Sequence, residues 1–504
     1  MKFNKKLAVA VSGAVLMMAG QFALADSTTD IVDALVSKGV LTEEEGKLIT
    51  KGHESKKEKT LEGKFKDGFV IENSDGSNSM KIGGRLHMDY RNFNRDVSTL
   101  NGSNSADKEA DTFDVRRARL ELSGTFRKYY DYLLSADLAG ATTGNSSTTT
   151  SVNILDQAYL NVKWIPQAQL RFGQFKQPMN LEKLTSSNNI DFQERSVVNQ
   201  LVGNEDRGAM VWGEPRPGFT YALGAFAGVG GKNRNDIYAR NDDLEFTGRV
   251  TANIAQFVDN KDAVIHLGLS GSTTQFDKQA TASDKDGWLA GTNKLRTEGR
   301  GLEFLTLPSL NATSTSVSNT IKRQRGGLEG VFAYNNMKLQ GEYVVNNFKG
   351  STNASDTGTG YVASTAFDNN IEAGYIEALY MITGEKYADF YKGGAFGGIK
   401  PRNEFNFDTM SGIGAWEVGV RYSSIDASDF NSIYAIQSNA GTYKADTTVL
   451  GLKWVPNNNM RVMLNAVYTS FDTPIALANT TAGSSATSLA KSETAITTRV
   501  QFMF

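Results

Sequence analysis

Residues 156–195 read DQAYLNVKWIPQAQLRFGQFKQPMNLEKLTSSNNIDFQER, and the pattern in this stretch predicts the fold. In its first part Ala158, Leu160 and Val162 are apolar, and the residues between them carry polar groups. A period of two residues predicts a strand with one apolar face and one polar face. A short turn at Ile165 and Pro166 leads to a second strand, and a long polar segment follows it. Such a segment without apolar periodicity is typical of a loop that has a function.

The same period of two continues from about Lys64 to the end of the chain. Polar residues such as Arg85, His87 and Asp89 alternate with apolar ones, and Glu417 and Arg421 repeat this pattern far downstream. In a soluble sandwich both inner faces would be apolar, whereas here one face is charged on strand after strand. Lipid outside and water inside explain this better. At roughly 25–30 residues for each strand and its connection, the chain is predicted to be all-β, a transmembrane antiparallel β-barrel of about 16 strands with a short N-terminal helical segment.

Composition supports this class and excludes others. Hydrophobic residues make up 40% of the chain, with 49 Gly, 8 Pro and no Cys, which excludes collagen-like, disulfide-rich and helical membrane proteins. The formal net charge of -2 gives no indication of nucleic-acid binding. Any preference for anions must therefore come from where the basic residues lie.

Residues 1–25 are predicted to be a secretory signal peptide. Lys2, Lys5 and Lys6 precede an apolar core, and small residues at Ala23 and Ala25 are typical of a cleavage site. Such a leader predicts export to the outer membrane of a Gram-negative bacterium, because barrel strands must pass the inner membrane without stopping there.

Residues 26–62 have a different pattern and are predicted to form a periplasmic, coiled-coil-like helical segment. Ile31 and Leu35 have helical spacing, Gly39 interrupts the pattern, and Thr42 with Glu45 predicts a capping box for a second short helix. A loosely ordered extension is the alternative, because isolated helices this short are marginally stable in water. The barrel itself is predicted to occupy residues 63–504.

The connections between strands are predicted to be of two kinds. Short ones follow Trp164 and Trp454, whose indole rings are expected at the membrane interface. The chain ends at Phe504 behind alternating apolar residues, which resembles the signal that the barrel assembly machinery recognises. Long connections rich in Ser, Thr, Asn and Gly are predicted to be extracellular loops at roughly 96–111, 140–152, 271–320, 349–369, 426–446 and 472–493.

Catalytic chemistry has little support in the sequence. His53, His87 and His266 lie far apart, and none has a partner at metal-ligand spacing. No nucleophile elbow and no phosphate-cradling Gly-rich motif is present. His87 is predicted to be a polar residue that faces the lumen. The chain is therefore expected to be no enzyme and to need no cofactor.

Basic residues form the strongest candidate site. Arg117 and Arg119 alternate into the lumen, whereas Arg116 has the wrong parity and requires a bulge or a position near the lipid headgroups. If the segment after the second strand folds inward, its basic residues converge with those of the wall on a constriction, where rings of Arg and Lys select anions. The candidates for this anion pathway are Arg85, Arg116, Arg117, Arg119, Lys176, Lys183 and Arg195.

Three segments carry a resemblance to a known family: FDVRRARLELSG at 113–124, GQFKQPMNLEKLTSS at 173–187 and FQERS at 192–196. Together they resemble the phosphate-selective porin O and P family. The resemblance implies a trimeric outer-membrane barrel of sixteen strands, with an inward-folded loop and a ladder of basic side chains. It assigns the anion-binding roles to Arg116, Arg117, Lys183 and Arg195, and it adds Asp156 as an acidic residue that shares the site with the lysine.

The expected partners are thus outer-membrane lipid, phosphate or other small anions, and two further copies of the chain. Glu182, Glu194, Glu205 and Asp206 flank the basic residues and are capable of neutralising them. A general or sugar-permeating porin is the alternative, although no aromatic track is evident on the predicted lumen faces. A surface adhesin with a plugged barrel is the alternative from another class.

Overall fold

A computed structural model describes residue 32 and residues 35–49, 61–65, 68–99, 111–139, 154–228, 244–278, 294–306, 319–351, 366–432, 442–477 and 488–504. The predicted signal peptide lies outside these residues, as does Ile31 of the predicted first helix. The chain divides into two compact units, Met1–Ile82 with Gly124–Lys128 and Gly83–Ser123 with Tyr129–Phe504.

The first unit contains the predicted capping box. The Glu45 N–H donates to Thr42 Oγ1 at 3.2 Å, and the Thr42 N–H donates to Glu45 Oε2 at 2.9 Å. These two bonds satisfy backbone donors at the start of the helix over residues 43–49, which confirms the prediction. Strand β1 (Leu61–Phe65) pairs with β2 (Phe69–Asn73), and β2 pairs with the beginning of β3. Strand β1 thus begins at Leu61, two residues before residue 63, where the sequence predicts that the barrel segment starts.

Within the described residues, sixteen strands form a closed antiparallel barrel, which confirms the predicted fold class. Closure comes from pairing of the last strand with β3, in a register that places Arg499 opposite Asp89 and Phe502 opposite Leu86. The barrel strands are β3 (Ser79–Thr99), β4 (Thr112–Phe126), β5 (Tyr130–Asp137), β6 (Leu155–Val162), β7 (Gln169–Lys176), β8 (Glu205–Arg216), β9 (Phe219–Phe226), β10 (Glu245–Asn253), β11 (Ala263–Lys278), β14 (Asn319–Tyr334), β15 (Met337–Ser351), β16 (Ala366–Met381), β19 (Ala415–Asp426), β20 (Lys444–Asn457), β21 (Met460–Leu477) and β22 (Ser488–Met503). The numbers β12 and β13 belong to a hairpin of Lys294–Arg296 and Glu303–Thr306, and β17 and β18 to one of Tyr391–Lys392 and Ala395–Phe396.

The two faces of the wall differ as the alternation predicts. Val420 and Ile496 are exposed on the outside, whereas Asp89, Arg421 and Arg499 are buried on the inside. An apolar outer face is what a barrel in lipid requires, because lipid solvates apolar side chains and leaves charged ones unpaired. No helix among the described residues combines the length and the hydrophobicity that crossing a membrane demands.

One predicted outer loop is partly wrong. The pattern predicts an outer loop at 271–320, but β11 continues to Lys278 and β14 begins at Asn319. Between them, the β12–β13 hairpin buries Leu295, Phe304 and their apolar neighbours inside the barrel. The Ser- and Thr-rich composition of the whole range concealed these few apolar residues. Strands β21 and β22 likewise extend into the predicted loop 472–493.

A second segment enters the lumen from the opposite end. We call this the turn end, where residues 163–168, 217–218, 335–336 and 458–459 connect strands. There, residues 382–414 join β16 to β19, a connection much longer than the other turns. Tyr387, Phe396 and Ile399 of this segment are buried against wall residues. The prediction of short turns at one end and long loops at the other therefore did not include this insertion.

Candidate functional site

The segment between β7 and β8 folds into the barrel. It comprises residues 177–204, with a short helix at Leu181–Leu184 and a 3-10 turn at Val197–Gln200. Lys338 Nζ of β15 donates to Asp191 Oδ2 of the segment at 2.7 Å, and Arg499 Nη1 of β22 donates to the Gln193 carbonyl at 2.5 Å. Both strands are remote from β7 in the sheet, so the segment crosses the lumen. We call it the infolded loop.

Two buried arginines hold the infolded loop against the wall. Arg421 of β19 pairs with Glu182 at 3.2 Å and with Glu298 of the β12–β13 connection at 2.6 Å. Arg499 pairs with Asp89 at 2.6 Å and with Glu194 at 3.0 Å. Buried charges persist in proteins when they are paired and hydrogen-bonded, which both guanidinium groups are. The infolded loop and the hairpin are thus fastened to the same side of the barrel.

Apolar contacts fill the space that these ion pairs enclose. Met179 and Leu201 of the infolded loop pack with Leu295 and Phe304 of the hairpin. Phe192 of the same loop packs in a second cluster with Phe396 of the turn-end insertion. The wall residues in these clusters come mostly from β11 and from β14 to β22. This half of the lumen is filled, and open space remains on the other half.

The open space is a cavity of about 1090 Å³, lined by β3 to β10 and by the infolded loop. More basic than acidic side chains line it. The structure brings together in this cavity all eight residues that the sequence proposed: Arg85, Arg116, Arg117, Arg119, Asp156, Lys176, Lys183 and Arg195.

Some of these basic side chains are paired with carboxylates. Arg119 bridges Asp137 at 2.8 Å and Asp156 at 2.6 Å. Arg116 Nε lies 2.8 Å from Glu194 Oε1, and Arg85 pairs with Glu121 at 2.5 Å. Their positive charge is partly neutralised, although the planar guanidinium groups remain at the cavity wall.

Strict alternation fails at Arg116. Both Arg116 and Arg117 line the cavity, although they are neighbours on one strand. The Ala118 N–H donates to the carboxylate of Asp137 at 3.2 Å. The ion pair with Glu194 holds the Arg116 side chain at the cavity. Of the two predicted alternatives, the position near the headgroups is therefore wrong, and the bulge stays a prediction.

Other basic groups have no carboxylate at hydrogen-bond distance among the described residues. Arg117 is buried, and its Nε and Nη1 atoms have no hydrogen-bond partner there. Lys176 Nζ donates to the carbonyls of Lys183, Leu184 and Thr185 at 2.8–3.3 Å. Arg195 donates to main-chain carbonyls as well, that of Thr185 at 2.7 Å. A carbonyl accepts a hydrogen bond without bringing a negative charge, so no carboxylate at hydrogen-bond distance offsets these three basic groups.

Lys183 is intermediate between the basic side chains that are paired with a carboxylate and those that are not. Its Nζ donates to Asn204 Oδ1 at 2.7 Å and lies 4.0 Å from Glu205 Oε2. Burial lowers the pKa of Lys183 to about 8, although the charge of Glu205 opposes the shift. Glu194 behaves in the opposite way: burial raises its pKa, but the charges of Arg116 and Arg499 hold that pKa well below the usual range. Glu194 is therefore ionised at neutral pH and anchors both arginines.

Sequence reasoning missed several residues of the cavity. Arg171 was detectable, because it alternates with Leu170 and Phe172, which face outward. Tyr159 and Trp212 line the cavity too, although no aromatic track is evident in the sequence. Arg296 and Arg300 also reach the cavity, but they belong to the range predicted as an outer loop. The local pattern held no signal for them.

The structure also shows the positions of His87 and Phe504, which the sequence analysis singled out. His87 is buried in the lumen, where its Nε2 lies 3.1 Å from Asn188 Oδ1 of the infolded loop. Phe504 closes the barrel end through a bond from its N–H to the Gly84 carbonyl at 3.2 Å. Among the described residues there is no group of three or more His, Asp or Glu side chains arranged to hold a metal ion.

Comparison with known proteins identifies the architecture. The family model described as phosphate-selective porin O and P matches residues 80–504. The chain belongs to this family. Porin O of Pseudomonas aeruginosa is 28% identical over 416 residues, covering 79% of this chain and 84% of that protein. The chain is therefore an outer-membrane porin of a Gram-negative bacterium, a channel former.

The chain is also similar to solved structures of outer-membrane proteins. The anion-selective porin from Comamonas acidovorans is 13% identical, with a TM-score of 0.46 over 85% of this chain and 100% of that one. The outer-membrane channel DcaP of Acinetobacter baumannii is 12% identical, with a TM-score of 0.44 over 86% and 99%. OmpT of Vibrio cholerae is 11% identical, with a TM-score of 0.43 over 85% and 98%.

Proposed function

We propose that this porin is selective for anions and conducts phosphate or related oxyanions. In this proposal the filter lies between the infolded loop and strands β3 to β8. The observation that carries it is Arg117, a buried guanidinium at the cavity wall without a carboxylate partner among the described residues. Such a group is stabilised when an anion from solution supplies the missing acceptor. The open cavity also favours a channel over a plugged adhesin barrel.

The types of side chain suit an oxyanion. Arginine offers planar pairs of donors that match two oxygens of phosphate, and lysine offers a mobile point charge. In a narrow pore these donors replace part of the hydration shell of the ion. The cavity supplies both kinds, with Arg117 on the wall and Lys183 on the infolded loop.

A carboxylate in the filter gives a reason for preferring phosphate to chloride. Asp156 is fixed by Arg119 at 2.6 Å and lines the same cavity. A protonated phosphate oxygen donates a hydrogen bond, and an ionised carboxylate accepts one. Chloride has no proton to donate. Asp156 is thus proposed to recognise the P–OH group while the basic residues bind the other oxygens.

The proposal includes the assembly that the family resemblance implies. Three copies are proposed to associate in outer-membrane lipid, with Phe504 as the residue that the barrel assembly machinery recognises. Residues 1–25 are proposed to be a removed signal peptide, and residues 26–62 a periplasmic segment that precedes the barrel of residues 63–504.

The test is the replacement of Arg117 in the full channel, measured in planar bilayers. For Arg117→Gln we expect a loss of about 1.5–3 kcal/mol for a charged hydrogen bond, which weakens phosphate block of chloride current about tenfold or more. Arg117→Lys keeps the charge but not the paired donors, so anion preference should persist while phosphate block weakens.

The matched control is Lys349→Gln, which removes one positive charge from an exposed pair with Asp368 away from the cavity. It should leave both readouts unchanged. If Arg117→Gln behaves like this control in anion preference and in phosphate block, the proposal is wrong and a general porin takes its place.

A further inference from the structure

A cluster of aromatic rings surrounds one arginine of the cavity. Arg171 of β7 lies opposite Asn161 of β6 and Met210 of β8. In this register Tyr159 and Trp212 are its diagonal neighbours, one on each side, and all three side chains line the cavity. The guanidinium carbon lies 4.4 Å from the centroid of the Tyr159 ring and 4.9 Å from that of Trp212. Diagonal neighbours on a sheet are within reach of one another when the side chains are long.

The rings have fixed positions. The indole N–H of Trp212 donates to Asn161 Oδ1 at 2.8 Å, and the Asn161 Nδ2 donates to Gln169 Oε1 at 2.8 Å. On the other side, the Tyr159 ring contacts that of Phe175 edge to face at 6.1 Å. A planar group that enters this part of the cavity therefore meets aromatic surfaces that are already ordered, and little conformational entropy is lost on contact.

The charge of Arg171 is not neutralised by a bonded carboxylate. Among the described residues it has no ion pair within 4.0 Å, and its buried Nε has no hydrogen-bond partner. Cation–π contacts stabilise a guanidinium through its faces and leave the N–H donors at its edge available. These donors require an acceptor, and the cavity beside them is open.

The cluster lies below the filter. Arg171 is five residues before Lys176 on the same strand, about 17 Å along that strand in the direction of the turn end. An ion that has passed the basic residues of the infolded loop reaches it next. Inorganic phosphate has no aromatic part that could contact the rings, whereas an anion that carries a flat ring has one.

We propose that Arg171, Tyr159 and Trp212 form a subsite for aromatic anions, in which the guanidinium edge binds the anionic group and the rings contact the aromatic part. An aryl phosphate monoester is the ligand class that combines this subsite with the basic filter. The inference rests on the proposed anion selectivity and names a substrate class for it.

The experiment compares block of chloride current by phenyl phosphate, methyl phosphate and inorganic phosphate in the full channel. Methyl phosphate carries the same anionic group without the ring, so the difference between the two esters measures the ring alone. We expect phenyl phosphate to block at roughly threefold to tenfold lower concentration, the usual gain from an aromatic pair. Tyr159→Leu and Trp212→Leu should each reduce this difference and leave block by methyl phosphate as it was.

Tyr468→Leu is the matched control, because Tyr468 is exposed and does not line the cavity. It should keep the full difference. Equal block by the two esters in the unmodified channel overturns the subsite and leaves the proposed function intact. A phenyl preference that survives both Leu variants overturns the assignment to these residues. Absence of block by all three phosphates, together with no anion preference, overturns the proposed function instead.

Discussion

At the scale of single residues, the cavity separates paired charges from free ones. Arg116 and Arg119 are bound by carboxylates at 2.6–2.8 Å, whereas Arg117 between them is not. Three arginines within four positions thus have different roles: two fix acidic groups, and the third is available to a passing ion. In the infolded loop, burial lowers the pKa of Lys183 to about 8, close to physiological pH.

The first prediction concerns that titration. Lys183 has a pKa of about 8 because it is buried; it faces Asn204, Glu205 and Asp156, with Arg195 and Arg117 nearby. A lysine is charged below its pKa and neutral above it, so anion preference should fall as pH rises through about 8. The ratio of chloride to potassium permeability, measured from reversal potentials between pH 6 and 10, should show a step near pH 8.

Chloride is chosen because it does not titrate in this range. Lys183→Gln should have the lower ratio below about pH 8, where Lys183 is charged, should match the unmodified channel near pH 10, where Lys183 is neutral, and should lack the step. A step that persists unchanged in this variant assigns the titration to another group and contradicts the prediction.

At the scale of elements, the turn-end insertion gives the channel a second boundary. The tip of the β17–β18 hairpin carries Gly393, which lines the cavity. Its neighbour Gly394 accepts a hydrogen bond from Arg249 Nη2 at 3.0 Å through its carbonyl. The insertion therefore places main chain beside a basic residue of β10. Because it enters from the turn end, it bounds the pathway opposite the infolded loop.

The second prediction introduces a charge at this tip. Gly393 has φ of 58°, a left-handed conformation that Asn and Asp tolerate best among residues with a side chain. A Cβ at this position meets nothing within 4 Å, so a side chain can begin there without a clash. Gly393→Asp should lower the chloride to potassium permeability ratio severalfold, because a negative charge then projects into the pathway. Reversal potentials provide the measurement.

Gly393→Asn is the control of matched shape, and it should keep the original ratio. If the two variants change the ratio equally, the effect comes from the altered backbone or from size. The hairpin tip would then not lie on the ion pathway.

At the scale of the whole molecule, the lumen is filled on one side only. The infolded loop, the β12–β13 hairpin and the turn-end insertion pack against β11 and the strands that follow it. The cavity lies against β3 to β10. Ion pairs such as Arg421 with Glu182 and Glu298 connect two of these inserted segments to one strand. The position of the channel thus depends on contacts that span most of the chain.

The third prediction tests this connection. Arg421→Leu leaves Glu182 and Glu298 buried without their shared partner, and breaking a buried pair in this way costs about 3–5 kcal/mol. Thermal unfolding of the detergent-solubilised protein, followed by far-UV circular dichroism, should show a clearly lower midpoint. Single-channel records should become noisier, because the infolded loop has lost an anchor.

Lys349→Ala breaks an exposed ion pair and serves as the reference, since such pairs contribute little to stability. Its midpoint should match that of the unmodified protein. A midpoint for Arg421→Leu that equals this reference would show that the ion pairs do not hold the inserted segments.

The barrel and the direction of most wall side chains follow from the local pattern of residues. Alternation is a local property, so the positions of Asp89, Arg117 and Arg499 inside the lumen followed from their neighbours in the chain. The same reasoning failed where a distant residue decided the outcome. Arg116 faces inward because Glu194, 78 residues away, accepts its hydrogen bonds.

The open side of the lumen and the charges that remain unpaired depend instead on contacts between distant parts of the chain. The infolding of residues 294–306 and 382–414 depends on a few apolar side chains that meet partners far along the chain, such as Phe304 beside Phe471 at 6.2 Å. Such contacts leave no periodicity in the sequence. Neutralisation is likewise a matter of distance, because the energy between two charges depends on their separation in space and not on their separation along the chain.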